Sequence, residues 1–363
     1  MPPLPSISVL LVEDSAVMRG ALTQILEADG DIVVADTAVD GAAALTKMQQ
    51  KVYNIILLDL EMPVMDGLTA LPKMLEIRPD AKIMICSTLT TANGYATLRA
   101  LNLGAIDYIT KPSSFAKLSN RPDFMSEIRE KVRQTALPAK AAPALAFPSH
   151  PLPSPAFTLR DMPRHFRPDV LAIGASTGGP RSLPTVLPLL RHSRIPIVIT
   201  QHMPPLFTQV LAEHLSRQCH VRVKEAENGD ILTAGTILVA PGGHHITFVR
   251  QGPHIVVALN TGPPVQFCRP SVDVMLQSLT AVTDGRLLSV ILTGMGTDGL
   301  AGCTTLTQAG GYVIAQDQQS AVIWGMPGAV AGKGLCSAVL PLPDIAPFLN
   351  DRFPALFATR IPA

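Results

Sequence analysis

Residues 170–180 read Val-Leu-Ala-Ile-Gly-Ala-Ser-Thr-Gly-Gly-Pro, and no other stretch restricts the fold so tightly. A short apolar run at 170–173 gives way to small residues, then to Ser176, then to Gly178, Gly179 and Pro180. That order predicts a buried strand breaking sharply into a helix, with Ser176 at the apex. Gly174, Ser176 and Gly178 also fit G-x-S-x-G, the pattern that lifts a nucleophilic serine onto a strained strand-to-helix turn. A glycine-rich turn whose serine merely caps the next helix has the same residues. The motif alone leaves both readings open.

The same alternation runs through the chain. Apolar runs at 7–12, 32–35, 55–58, 83–86 and 108–109 are separated by amphipathic stretches. Met18, Leu22 and Ile25 share one helical face, as do Phe124, Ile128 and Val132. Five short strands with intervening helices predict a flavodoxin-type parallel sheet, wrapped on both sides, over residues 1–134. Prolines 138, 143, 148, 151, 153, 155 and 163 then stand among alanines and serines, which predicts a Pro-rich linker over 135–166. From 167 to 363 alternation resumes, with strands expected at 170–173, 197–200, 237–240, 255–259, 288–292 and 312–315. Helices are expected near 182–191, 206–217, 271–282, 299–309 and 327–333. The chain is thus α/β, with two doubly wound parallel-sheet domains, the second Rossmann-like with room for an antiparallel excursion around 236–260.

With 363 residues and a net charge of +1, the composition favours neither nucleic acid nor an anionic membrane. No apolar stretch approaches a membrane span, and the start Met-Pro-Pro-Leu-Pro lacks the basic and apolar regions of a signal peptide. Cysteines 86, 219, 268, 303 and 336 are scattered and never form C-x-x-C, which argues for a reducing, cytoplasmic setting without a zinc cluster.

Two clusters of reactive residues fall at strand ends. Glu13 and Asp14 follow one apolar run and Asp59 another, so a parallel sheet delivers three carboxylates to one edge. Their mutual repulsion calls for a hard cation, and Mg²⁺ suits oxygen donors that leave several waters in place. Ser87 and Lys111 end two further runs on that edge, where they could hold a phosphoryl group attacked by an aspartate. In the second half, His202 and Asp298 lie just past strands on the edge where Ser176 emerges, the three groups a nucleophilic serine requires. His244 and His245 compete as bases, and Asp298 has the alternative of a helix cap. A sharper rival is G-x-G-x-x-G at Gly294, Gly296 and Gly299 with Asp317 beyond, a dinucleotide fingerprint. The near P-loop at 328–334 is a residue short and lacks the hydroxyl after Lys333.

Residues 7–134 resemble the receiver domain of two-component response regulators. That resemblance implies that Asp59 accepts the phosphoryl group and that Glu13, Asp14 and the Glu61 carbonyl hold Mg²⁺ with it. It further implies that Ser87 and Lys111 sense the phosphoryl group, that Tyr108 turns inward on activation, and that the Lys111–Pro112 bond is cis. The second half carries Gly-Ala-Ser-Thr-Gly-Gly-Pro at 174–180, Gln-His-Met-Pro at 201–204, Ala-Pro-Gly-Gly at 240–243 and Arg-Pro-Ser-Val-Asp-Val at 269–274. Leu-Thr-Gly-Met-Gly at 292–296, Asp298-Gly299, Ile-Ala-Gln-Asp at 314–317 and Trp-Gly-Met-Pro at 324–327 follow in order. Together these blocks resemble the CheB family of chemotaxis protein-glutamate methylesterases, which are also protein-glutamine deamidases. The resemblance implies Ser176 as nucleophile, His202 as base and Asp298 as its orienting acid. The backbone N–H groups of Thr177 and Met295 would form the oxyanion hole, with no cofactor in the esterase site. It implies methyl-accepting chemoreceptors as substrate, a histidine kinase as phosphodonor, and activation by phosphorylation. Pro184 departs from the pattern and predicts a helix that starts only near Ser182.

Overall fold

The structure, a computed structural model, describes residues 6–88, 90–111, 122–136 and 157–357. The chain divides into two compact units, residues 1–140 and 141–363. Among the described residues no helix is long and apolar enough to cross a membrane.

Among the described residues the first unit alternates: β1 (Ile7–Val12), α1 (Ala16–Glu27), β2 (Ile32–Ala38), α2 (Gly41–Gln50), β3 (Ile55–Asp59), α3 (Gly67–Ile77), β4 (Ile83–Thr88), α4 (Thr91–Leu103), β5 (Asp107–Lys111) and α5 (Pro122–Ala136). The strands form one parallel sheet in the order β2-β1-β3-β4-β5. β3 is buried along its whole length because helices cover both faces of the sheet. Each of the first four helices starts at a polar cap whose oxygen accepts an otherwise unpaired N–H: Ser15, Asp40, Asp66 and Thr90. Val9, Leu11, Leu22, Leu26, Ile55 and Leu57 pack with Ile128 and Val132 of α5. Each such side chain contributes about 1.5–3 kcal/mol through burial. Phe124, expected on the same stripe, lies outside the described side chains.

The second unit comprises β6 (Val170–Ala175), α6 (Gly179–Val186), a 3₁₀ turn at Leu187–Leu190, β7 (Ile197–Gln201), α7 (Phe207–Cys219), β8 (Val223–Glu225), β9 (Ile237–Val239), β10 (His245–Gln251), β11 (His254–Asn260) and α8 (Val272–Thr283). It continues with β12 (Leu287–Ile291), α9 (Leu300–Gln308), β13 (Tyr312–Gln316), α10 (Met326–Gly332), β14 (Cys336–Leu340), α11 (Leu342–Arg352) and α12 (Pro354–Phe357). Seven strands form a parallel sheet in the order β14-β13-β12-β6-β7-β9-β8. The chain leaves β6 toward β7 on one side and returns through β12 on the other. This topological switch point opens a crevice at the strands' carboxyl ends.

The antiparallel excursion expected around 236–260 is present as a hairpin of β10 and β11, in a two-stranded sheet of its own. The structure corrects several other expectations. β8, β10, β14, α11 and α12 had no counterpart among the expected elements. Helix α6 starts at Gly179, not near Ser182, so Pro184 lies inside it. Only one ladder bond is lost, to the Pro180 carbonyl, and the α-helix ends two residues later, which limits the penalty of the proline. Both ends of the expected 135–166 linker belong to the units: α5 runs to Ala136, and Phe157 and Phe166 pack against Trp324 and Tyr312 of the second unit, while the rest of the expected linker, 137–156, lies outside the described residues.

Gly67 opens α3 directly beneath the end of β3, where a β-carbon would sit 2.9 Å from Leu60 Cα and 3.0 Å from the Asp59 carbonyl carbon. Gly67→Ala is expected to destabilise the first unit by about 1–3 kcal/mol, seen as a lower denaturant midpoint for its transition in the full chain. Gly20→Ala, in mid-helix with nothing within 4 Å, should instead raise that midpoint slightly.

Candidate active site

In the second unit three strand ends meet at the switch point. Ser176 follows β6, and Gly178 (φ +81°) makes the turn that lets α6 begin at once. The Ser176 N–H donates to the Thr293 carbonyl at 3.0 Å, which ties this turn to the loop after β12. The approach is close: a β-carbon on Gly294 would lie 2.8 Å from Ser176 Cβ. His202 follows β7, its N–H donating to the Ala175 carbonyl at 3.1 Å. The buried Gln201 amide donates from Nε2 to the carbonyls of Ser176 (2.9 Å) and His202 (3.2 Å). One side chain therefore fixes the backbone of both residues.

The imidazole of His202 lies between an acid and a thiol. Its Nε2 is 2.7 Å from Asp298 Oδ2. An ionised carboxylate only accepts, so that nitrogen carries a proton and Nδ1 is left for other work. Nδ1 is 3.4 Å from Cys268 Sγ. Among the described residues no hydrogen bond joins the Ser176 hydroxyl to the ring. Burial opposes the charged imidazolium, but Cys268 and Asp298 outweigh it and raise the pKa of His202.

Asp298 is buried and saturated with donors. Besides His202 it accepts from Ser271 Oγ (2.8 Å) and from the N–H groups of Val272 (2.7 Å), Asp273 (3.0 Å) and Gly299 (3.0 Å). Two of these N–H groups open α8, so the carboxylate sits at the positive end of a helix other than the one it precedes. Burial pushes the carboxyl up, but His202 and the backbone N–H groups overcome it and hold it below its ordinary value. Asp298 thus caps the first N–H groups of α8 and also contacts the His202 ring.

The competing readings lose their residues. His245 is buried with Nε2 on the Pro263 carbonyl at 3.0 Å, and His244 is exposed. The loop at 294–299 packs on protein: a β-carbon at Gly294 would also meet the Met326 side chain, where a pyrophosphate would have to approach. Asp317 is engaged by the N–H and hydroxyl of Ser320 at 3.0 and 2.6 Å. Met295 N–H, beside Ser176 in the Gly294 loop, has no partner among the described residues.

In the first unit Lys111 Nζ donates to Asp59 Oδ2 at 2.5 Å and to Glu13 Oε2 at 3.0 Å, all three side chains being buried. Asp14, exposed, brings a third carboxylate, and donor atoms of Glu13, Asp14 and Asp59 lie within 4.8 Å of one another. Three carboxylates against one ammonium leave an excess of negative charge that a divalent cation would balance. Burial raises the Glu13 carboxyl despite the pull of Lys111, with Asp59 adding to the rise. Burial would lower Lys111, but Asp59 and Glu13 reverse the direction and raise it. The Glu61 side chain accepts from Asn93 Nδ2 at 3.3 Å, and Ser87 is buried at the end of the sheet edge. Tyr108 is already buried, with Lys131 Nζ 5.3 Å from its ring centre. The expected cis bond at Lys111–Pro112 lies outside the described residues.

Sequence reasoning missed Gln201, Ser271 and Cys268 as site residues, although each sits in or beside a quoted block. Ser271 carried a signal, a hydroxyl residue directly before an apolar helix. Cys268 carried none.

Replacing Asp298 by alanine would leave the α8 N–H groups without an acceptor. Asp298→Ala is expected to destabilise the second unit by about 2–4 kcal/mol in denaturant unfolding at neutral pH. Because the folded carboxyl is held low, its contribution is present above the unfolded value near about 4 and is lost as pH falls through the folded one. The gap between wild type and variant should therefore close in acid.

Residues 171–349 match the CheB methylesterase family, and residues 9–122 match the response regulator receiver domain. The protein-glutamate methylesterase/protein-glutamine glutaminase of group 2 operon of Rhodospirillum centenum is 45% identical over 94% of this chain and 93% of its own length. The protein-glutamate methylesterase/protein-glutamine glutaminase 1 of Paramagnetospirillum magneticum is 45% identical over 96% of both chains. The crystal structure of the Thermotoga maritima CheB methylesterase catalytic domain is 38% identical and superposes with a TM-score of 0.50, covering 51% of this chain and 98% of that one. With relatives this similar along nearly the whole chain, and with both units matched in order, the protein belongs to the receiver-linked CheB methylesterase family.

Proposed function

We propose that this chain is a phosphorylation-activated protein-glutamate methylesterase and protein-glutamine glutaminase acting on methyl-accepting chemoreceptors. The observation that carries the reading is the His202–Asp298 pair at 2.7 Å on the strand ends flanking Ser176. Ser176 Oγ attacks the γ-carbonyl of a methylated glutamate while the imidazole takes its proton. Asp298 keeps Nε2 protonated and stabilises the imidazolium. The N–H groups of Thr177 and Met295 receive the oxyanion, each contributing about 3 kcal/mol in the transition state. Collapse breaks the ester C–O bond, and His202 returns the proton to the departing methoxide, so methanol leaves and a γ-glutamyl-Ser176 ester remains. Water, deprotonated by His202, then releases the glutamate and restores the serine. With a glutamine substrate the leaving group is ammonia and the steps are the same.

The receiver family implies a divalent-metal site for phosphorylation. Glu13, Asp14, Asp59 and the Glu61 carbonyl would hold Mg²⁺ there, whose charge would neutralise the phosphoryl oxygens during transfer. Asp59 takes the phosphoryl group from a histidine kinase. Lys111, freed from Asp59, and Ser87 then bind the new phosphate oxygens. Residues 1–134 act as the receiver and 167–363 as the esterase. Its place of work is the cytoplasm, where the receptors present their methylated helices.

Methanol release from methylated receptor membranes should fall at least about 10³-fold in Ser176→Ala. It should rise with a small phosphodonor and Mg²⁺ in wild type but not in Asp59→Asn. Release that survives Ser176→Ala, or no release under any condition, would overturn the reading. Because the base works only when neutral and its pKa is raised, kcat/KM should climb with pH through a midpoint above the ordinary imidazole value near about 6.5. Cys268 is one cause of the rise, so Cys268→Ala should move the midpoint toward neutrality.

A further inference from the structure

We propose that His202 Nδ1 and Cys268 Sγ form a binding site for Zn²⁺, and that the ion blocks the esterase by occupying the nitrogen the serine needs. The blocking half rests on the reading of His202 as the base; the site itself does not. The donors are a nitrogen and a sulfur 3.4 Å apart. Zinc bonded at about 2.1 Å to nitrogen and 2.3 Å to sulfur in a tetrahedron separates the two by about 3.6 Å, so only a slight widening is required. Donor atoms of His202, Cys268 and Asp298 all lie within 4.8 Å of one another.

Asp298 would act as the outer partner. Its oxygens are committed to Ser271, Val272, Asp273 and Gly299 as well as to Nε2, which disfavours its movement onto an ion. A carboxylate on the far nitrogen is the usual support of a metal-bound imidazole, fixing the ring and raising its basicity. Cys268 is also the accessible thiol: Cys86, Cys219, Cys303 and Cys336 are free but buried, whereas Cys268 is partly exposed. A thiolate and an imidazole together select a softer ion than the oxygen-only cluster of Glu13, Asp14 and Asp59. The two sites on one chain therefore sort Zn²⁺ from Mg²⁺ by donor chemistry.

The test uses the full chain with Mg²⁺ present and Co²⁺ as a coloured stand-in. Titration should produce a near-ultraviolet thiolate-to-cobalt absorption band in wild type and in Ser176→Ala. Cys268→Ala, which removes the thiolate, should lose the band at every Co²⁺ concentration. A band that is absent in wild type, or unchanged in Cys268→Ala, overturns the site. Zn²⁺ should inhibit methanol release reversibly, with a chelator restoring the rate. Cys268→Ala, compared with its own metal-free rate, should need at least about tenfold more Zn²⁺ for the same fractional loss. Equal sensitivity in the two chains, or the band without inhibition, overturns the blocking role. Since the absorption band does not depend on turnover, the metal site and the esterase reading fail separately.

Discussion

The second unit turns on one buried charge. Asp298 collects five hydrogen-bond donors from three places: the imidazole of His202, the first residues of α8 with Ser271, and the N–H of Gly299 beside it. An uncompensated carboxylate at that depth would be expensive, and these donors replace the water it has left. In doing so the carboxylate fastens the start of α8, the loop after β12 and the imidazole to one another. The position of the His202 ring is thus set by the same bonds that hold the fold.

The first unit solves a related problem differently. There Lys111 is shared between Asp59 and Glu13, and a third carboxylate, Asp14, stands at the edge. The cluster is left negative rather than saturated. A saturated carboxylate serves as a fixed orienting group. An under-compensated one can take up a cation and exchange a lysine for a phosphate. Both clusters lie at carboxyl ends of parallel strands, in the crevice where the strand order reverses, but their charge balance suits one to permanence and the other to change.

Much of this was legible in the sequence because the strands are short apolar runs and Glu13, Asp59, Ser176 and His202 come directly or almost directly after one, whereas Asp298 lies beyond a glycine-rich loop. The strand cores of β1, β3, β4, β6, β7 and β13 were within reach of that rule. It failed where burial is incomplete. β10 alternates polar and apolar residues in an edge hairpin, and β8 is only three residues long, so neither presents a continuous run. The helix start at Gly179 is hidden because Pro184 signals a first-turn position, whereas a helix of two turns that ends at Val186 tolerates it near its far end. Cys268 was illegible for another reason. It reaches His202 from a turn between two unrelated elements, and only the fold brings a residue 66 positions away to the ring.

A second carboxylate clarifies why Asp298, rather than its neighbour, keeps its charge on acidification. Asp273 begins α8 and accepts from Gly302 N–H at 2.7 Å and Gln266 Nε2 at 3.1 Å, two donors against Asp298's five. Burial, with the nearby Asp298 charge adding to it, pushes the Asp273 carboxyl up to about 6. The folded protein therefore binds a proton at Asp273 more tightly than the unfolded chain, whose value is near about 3.9. Ionising Asp273 between those limits works against the fold, while Asp298 in the same window is charged and supports it. On acidification Asp273 takes its proton first and relieves the repulsion, and the His202–Asp298 pair outlasts it. Two carboxyl groups on one helix end are separated in role by the number of donors each receives, which is how a single site keeps one acid ionised beside another that titrates.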